Sequence, residues 1–215
     1  AKVTPPAQSV PTIFDFADAT LRAIDALGLD RVDLYGTHTG ASIAMEIAIA
    51  HPERVRRLVL DGIGLYAPAE QRELLAVYAP EIVPDHNGSQ LNWAWHFCRD
   101  QFVFWPWFKR DREHVRATGL PPAGELHAMV VEVLKAIGTY HLSYRAAFRH
   151  PKHERLPLLR VPTLVCCDPG DMLFAALDGV VALVPGCRRA EVGSGGDVSG
   201  VARTAQVIGE FLGAP

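Results

Sequence analysis

The chain has 215 residues, 49% hydrophobic and 21% charged, with a net charge of -3, an ordinary globular composition with enough length for one domain and a sizeable core. Acids and bases are mixed, with no Lys/Arg block to track phosphates, and no apolar run reaches the roughly eighteen residues of a membrane span, which argues against nucleic-acid and membrane partners. Cys98, Cys166, Cys167 and Cys187 make no C-x-x-C pair and share no ligand spacing with the nine histidines, so they read as buried thiols of a reducing, cytoplasmic compartment, with no metal or organic cofactor implied.

Residues 12–27 read as an amphipathic helix, with Phe16, Ala19, Ala23 and Leu27 at helical spacing and Gly28 as the stop. Arg31 to Tyr35 follows as a short strand. A second helix is predicted from Gly40 to about Ala50, ended by His51-Pro52. Leu58, Val59 and Leu60 then form an apolar run of the length a parallel sheet buries. Strand, helix and strand with short links predict a parallel sheet with right-handed crossovers.

From Gly64 to Pro157 the pattern changes. Helical stretches surround an aromatic-rich patch that includes Trp93, Phe97, Trp105 and Trp107, and a longer helix is predicted from Gly124 to about Phe148. No sheet strand interrupts this segment, so it is expected to sit over one end of the sheet as a helical lid. Sheet-like text resumes at 162–167, followed by a helix from Leu173 to Val184, a strand in "CRRAEVG" and a closing helix from Ser199 to Leu212 with Ser199 as its cap. The expected organisation is an α/β core over 1–63 and 158–215, with the lid over 64–157.

The informative stretch is "DLYGTHTGAS". Its G-x-X-x-G spacing between a strand and a helix lifts the middle side chain, His38, to the carboxyl end of the strand and the amino end of the helix. Glycines at 36 and 40 let the turn pack closely, and the unpaired N–H groups of the helix end favour developing negative charge.

"GTHTG" with the following "ASIAMEIAIAHPERVRRLVLDG", and "VPTLVCCDPGDMLF" further on, resemble the α/β-hydrolase superfamily, in particular its lidded esterases, carbon–carbon bond hydrolases and haloalkane-dehalogenase-like members. The resemblance implies an α/β-hydrolase-like parallel sheet with a helical lid, and places Asp171 where the family acid stands. Two departures are specific. The elbow position, normally Ser and sometimes Asp or Cys, is His38; the position of the family histidine, in "EVGSGGDVSG", is Gly196. Acyl-serine chemistry is thereby excluded at this elbow. His38 is instead a candidate general base acting on water or on a substrate C–H or O–H, since imidazole titrates near neutrality. Asp171 would orient it, and the amide of Thr39 is a candidate oxyanion donor. Asp61, just after the Leu58–Leu60 strand, is the alternative acid, or else a turn-forming residue before Gly62.

The implied activity is a noncanonical reaction on a small, partly apolar carbonyl or ester compound. The rival is a catalytically inactive subunit or ligand-binding protein that keeps the turn for packing alone. Family members also place four strands ahead of the point matched by the start of this chain. The resemblance therefore implies a second polypeptide that supplies them, a homo-oligomer pairing edge to edge, or an incomplete chain. Within the lid, Trp105, Tyr144 and Arg145 are candidate substrate contacts. The aromatic rings would suit an apolar ligand or glue the lid to the sheet. Arg145 and Arg149, four apart on one helix, would meet a carboxylate or face solvent.

Overall fold

In the computed structural model, which describes residues 10–193 and 198–213, the first helix α1 (Ile13–Ala26) opens on a reciprocal cap. Thr12 Oγ1 accepts from the Asp15 amide while Asp15 Oδ2 accepts from the Thr12 amide at 2.7 Å, satisfying two N–H groups the helix itself cannot pair. Strand β1 (Val32–Thr37), helix α2 (Thr39–Ala50) and strand β2 (Val55–Asp61) then form one βαβ unit. Strands β3 (Thr163–Cys167) and β4 (Arg188–Glu191) complete a parallel sheet in the order β1-β2-β3-β4. β1 extends two residues beyond the Tyr35 end expected from sequence, because Gly36 and Thr37 still pair with Leu60 and Asp61.

The sheet is covered on both faces, as alternation along a strand requires. Leu58 and Leu60 of β2, with Val165 and Cys167 of β3, pack against Ala41, Met45 and Ala48 of α2. The intervening Val59, Leu164 and Cys166 point the other way, against Phe211 of the closing helix α9 (Val198–Gly213). Leu58 and Leu60 are wholly buried, and each contributes about 2 kcal/mol of transfer free energy. Ser199, expected as a cap, is the second residue of α9 rather than a residue before it.

Between β2 and β3 lie α3 (Pro68–Val77), α4 (Ser89–Val103), α5 (Ala123–Lys135), α6 (Tyr140–Arg149) and the short α7 (Lys152–Arg155). The long helix expected over 124–148 is two helices. Gly138, flanked by the β-branched Ile137 and Thr139, is the poorest helix former inside that run, and the chain turns there, with the Thr139 amide donating to Ala136 O at 2.8 Å. Similarly, the helix expected from Leu173 is a single 3-10 turn (Phe174–Ala176) before α8 (Leu177–Leu183).

The insertion has its own apolar cluster, centred on the buried Tyr78, whose ring meets those of Phe97, Trp105, Trp107, Phe108, Tyr144 and Phe148. It is fastened to the sheet layer by a buried ion network. Glu46 of α2 accepts from His150 Nε2 at 2.8 Å and from Arg155 Nε and Nη2 at 2.9 and 2.6 Å. Among the described residues, no helix is long and apolar enough to cross a membrane.

Candidate active site

The parallel register aligns three strand ends. Thr37 lies opposite Asp61, and Asp61 opposite Cys166, so His38 after β1, Asp61 at the end of β2 and Asp171 in the loop after β3 gather on one rim of the sheet. The turn is tighter than the sequence implied: α2 begins at Thr39, not Gly40, and His38 alone makes the corner. Its backbone has φ 51 and ψ -113, and it is the only non-glycine residue with positive φ among the described residues. Holding a Cβ-bearing residue there costs of order 1–3 kcal/mol, a cost that must be met by the surroundings. The His38 amide donates to Asp61 O at 3.0 Å, and His38 O accepts from the Ala41 amide at 3.2 Å.

Two glycines make room, and only one was anticipated. A Cβ at Gly36 would lie 2.3 Å from Gly40 O, a backbone atom that cannot swing aside. Gly40 itself faces open space, so the close-packing role expected of it falls to Gly36 alone. Gly62, read as a simple turn residue, has φ +61 and would carry its Cβ 2.8 Å from His38 Cδ2. Its missing side chain is the space the imidazole occupies.

His38 Nε2 and Asp171 Oδ2 are 2.8 Å apart. The His38 side chain is 47% exposed and that of Asp171 21% exposed, so the pair is open on the imidazole side. The acid is held from behind: Asp171 Oδ1 accepts from the Leu173 amide at 2.7 Å, and the Asp171 amide donates to Asp168 O at 2.9 Å. The preceding Gly170 donates its amide to Asp168 Oδ1 at 2.8 Å, while its carbonyl accepts from Arg116 Nη2 at 2.8 Å.

The hydrogen bond to Asp171 raises the His38 imidazole above its ordinary 6.5; partial burial opposes it, and the charges of Asp171 and Asp61 add to it. For Asp171, burial works to raise the carboxyl, but the His38 hydrogen bond and charge, the Leu173 amide and Arg116 together hold it below its usual value. Asp61 behaves differently. Its carboxyl accepts from the Tyr35 hydroxyl at 2.7 Å and burial raises it, against the Tyr35 bond and the His38 charge. Of the two acids weighed from sequence, Asp171 touches the ring; Asp61 is turned toward Tyr35 and supplies its main-chain carbonyl to the turn.

His38, Thr39 and Asp171 border a cavity of about 1060 Å³ between the sheet rim and the helical insertion. Trp105 and Tyr144 also line it. Arg145 does not: Tyr144 faces the cavity, the next residue points about 100° away around α6, and Arg145 Nε donates to Ala79 O at 3.1 Å. Arg149 is exposed. The buried Tyr140 belongs to the aromatic cluster, its hydroxyl donating to Pro80 O, and Trp107 does too, with Nε1 donating to Tyr78 O at 3.0 Å. Gly196 lies outside the described residues. Sequence reasoning passed over Ser42, Tyr66, Arg116 and Lys152, all of which line the cavity. Ser42 closes the stretch that carries the turn; the other three sit in no motif, and only the packing of the insertion and loops on the sheet brings them to the cavity.

No family model matches the chain. A 2-hydroxymuconate semialdehyde hydrolase of Pseudomonas sp. is 39% identical over 80 residues, 30% of this chain; the match spans only 28% of that relative's length. Among solved structures, an alpha/beta hydrolase enzyme from a deep-sea metagenome library superposes with a TM-score of 0.67 at 15% identity, covering 97% of this chain and 74% of the other. The enol-lactonase of Burkholderia xenovorans gives 0.65 at 15% identity, covering 96% and 75%. These likenesses establish the fold. Among the described residues the chain has four parallel strands of an α/β-hydrolase fold, with helical insertions.

Proposed function

We propose that the cavity is the active site of a hydrolase-type enzyme that acts on a small, partly apolar carbonyl or ester compound, with His38 as general base. The single observation that carries this reading is the 2.8 Å contact between His38 Nε2 and Asp171 Oδ2 at the mouth of the cavity. With Nε2–H donated to Asp171, the lone pair rests on Nδ1. That nitrogen takes a proton from water as its oxygen adds to the carbonyl carbon, and Asp171 holds the imidazolium that forms. Collapse of the tetrahedral species expels the leaving group, which takes the proton back from the imidazolium. The carbonyl oxygen gains negative charge meanwhile, and the Thr39 amide, at the start of α2 with no acceptor inside its own helix, is placed to receive it. The 2-hydroxymuconate semialdehyde hydrolase and the enol-lactonase are named for carbonyl and lactone substrates, which supports the substrate class. In this reading the elbow histidine reaches the acid itself, and residues 64–157 serve as the lid, with Trp105 and Tyr144 as substrate contacts.

The test is turnover against a panel of ester, lactone and diketone substrates. The parent chain is expected to hydrolyse at least one of them, and His38→Ala to lose about 100-fold or more of kcat, the usual scale of a general base. Equal turnover by His38→Ala overturns the role of the imidazole. No turnover by the parent with any substrate, beside intact ligand binding, makes the protein a ligand-binding relative instead.

We also propose that the free edge of β1, which pairs only with β2 among the described residues, is covered in the working protein by strands of a second polypeptide or of a second copy.

A further inference from the structure

The last carbonyls of a helix have no later N–H of that helix to accept from, and at the end of α4 residues 114–118 cover them as a strap. The Arg116 amide donates to Val103 O at 2.8 Å, Thr118 Oγ1 to Phe102 O at 2.9 Å, and Arg116 Nη1 to Gln101 O. An antiparallel bridge between Phe104 and Val115, with the Trp105 amide donating to His114 O at 2.9 Å, holds the strap in register. Gln101 is in turn fixed to the aromatic cluster, its Oε1 accepting from the buried Tyr78 hydroxyl at 3.0 Å. The position of Arg116 is therefore set by the insertion.

From the cavity wall, its other terminal nitrogen, Nη2, crosses to Gly170 O at 2.8 Å, the residue before the acid and 54 positions along the chain. Among the described residues no other hydrogen bond joins 168–173 to the insertion. Inside that turn the Gly170 and Asp171 amides both return to Asp168, and the Leu173 amide to Asp171. The turn is thus braced within itself and held from the insertion side at a single carbonyl. Arg116 makes no ion pair with Asp168 or Asp171 within 4.0 Å, so it grips the main chain and leaves the Asp171 carboxylate to His38.

We propose that Arg116 is a positioning residue of this site: by tying the Asp171 turn to the end of α4, it makes the His38–Asp171 contact depend on the helical insertion being seated on the sheet. This deepens the reading above and rests on it for any bearing on turnover. Two roles of Arg116 would have opposite signs at the imidazole. The hydrogen bond to Asp171 is the largest influence on His38 and raises it; the charges of Asp171 and Asp61 raise it further, and the charge of Arg116 lowers it. Were Arg116 to act by charge alone, its removal would raise the imidazole. If it positions the acid, its removal lowers the imidazole, because the stronger influence is lost with the hydrogen bond.

The test follows the imidazole itself, by proton–nitrogen NMR of the 215-residue chain across pH, with His38→Ala identifying its signal among the nine histidines. Arg116→Met is expected to lower the His38 midpoint toward that of Asp171→Asn. Arg116→Lys keeps the charge but cannot hold two carbonyls at once, and is expected to lower it less. Lys109→Met removes a different cation of the insertion, one paired with Glu73, and is expected to leave the midpoint in place. An Arg116→Met midpoint equal to or above the parent's would overturn the proposal, as would an equal fall in Lys109→Met. Should Arg116→Met not fold, Arg116→Lys decides by the same criterion. A chain that hydrolyses nothing yet shows the lowered midpoint keeps the coupling and loses the catalytic reading. His38-dependent hydrolysis beside unmoved midpoints does the reverse.

Discussion

At the scale of single residues, the site is built from what is missing as much as from what is present. The imidazole of His38 occupies the volume that any side chain at residue 62 would claim, and the φ of +61 there adds backbone strain to the clash. Gly62→Ala is therefore expected to push the ring off Asp171, lowering kcat at least about tenfold and stability by about 1–3 kcal/mol, the usual cost of overpacking. Urea melts paired with kinetics check both, and an unaltered kcat would show that the ring does not need that space. Gly36→Ala sets a Cβ against main chain rather than a side chain and is expected to destabilise the fold by at least as much. The spacing "GTHTG" made the turn and the place of His38 at its corner legible in the sequence. It did not reveal which glycines were needed. Gly40 looked equivalent to Gly36 but faces open space, while Gly62 belongs to another strand and meets His38 only through the register of β1 against β2.

At the scale of elements, most strands and helices of the core followed from periodicity and from helix stops such as Gly28 and His51-Pro52, because each is set by local pattern and by burial on a sheet face. The insertion was harder to read. Its helices carry apolar residues on several sides, and the break between α5 and α6 depends on Gly138 and its β-branched neighbours, within a run that otherwise reads as continuous. Arg145 shows the consequence: on one uninterrupted helix it seemed free to reach a ligand, whereas in α6 it serves the main chain of the segment after α3. The tie between layers was not anticipated either, since Glu46 lies 104 residues from His150 and 109 from Arg155 in the chain. Burial works to raise the Glu46 carboxyl, but the hydrogen bonds from His150 and Arg155 outweigh it and hold the group below its ordinary 4.5. A carboxyl depressed by folding contributes stability that is complete above the unfolded value and is lost as pH falls through the folded one. Glu46→Ala, which strands a buried His150, is expected to cost about 3 kcal/mol and roughly 10 °C in Tm near neutral pH. Thermal melts on a descending pH series should show the parent approaching the variant below pH 4.5; a gap that stays constant down to pH 3 would argue that packing, not the carboxylate, carries the effect.

At the scale of the whole molecule, two apolar bodies, the sheet core and the aromatic cluster around Tyr78, enclose the cavity between them. The rim that carries His38 is also the end of an edge strand. Tyr35 of β1 is 50% exposed, yet its hydroxyl is bonded to Asp61, so whatever pairs with β1 would lie against a residue already coupled to the site. Light scattering of the purified chain, with intact-mass measurement of its components, is expected to give a particle heavier than one 23.5 kDa chain. A monodisperse monomer would remove the proposed partner. The resemblance read from the sequence anticipated this sheet end and its acid, Asp171, because both follow from one strand-turn pattern each. It left open whether the elbow side chain would reach the acid directly or through water, since that depends on imidazole being long enough to bridge two loops, as the 2.8 Å contact shows it to be.

That bridge is the central claim, and the pH dependence of kcat/KM tests it most directly. A general base works in its neutral form, and Asp171 raises the pH at which His38 becomes neutral. The parent is therefore expected to gain activity as pH rises through a midpoint above 6.5. In Asp171→Asn, which removes the charge and keeps the shape, that midpoint should move to lower pH while the plateau falls. A midpoint unmoved by the substitution, or activity that declines as His38 loses its proton, would contradict the account.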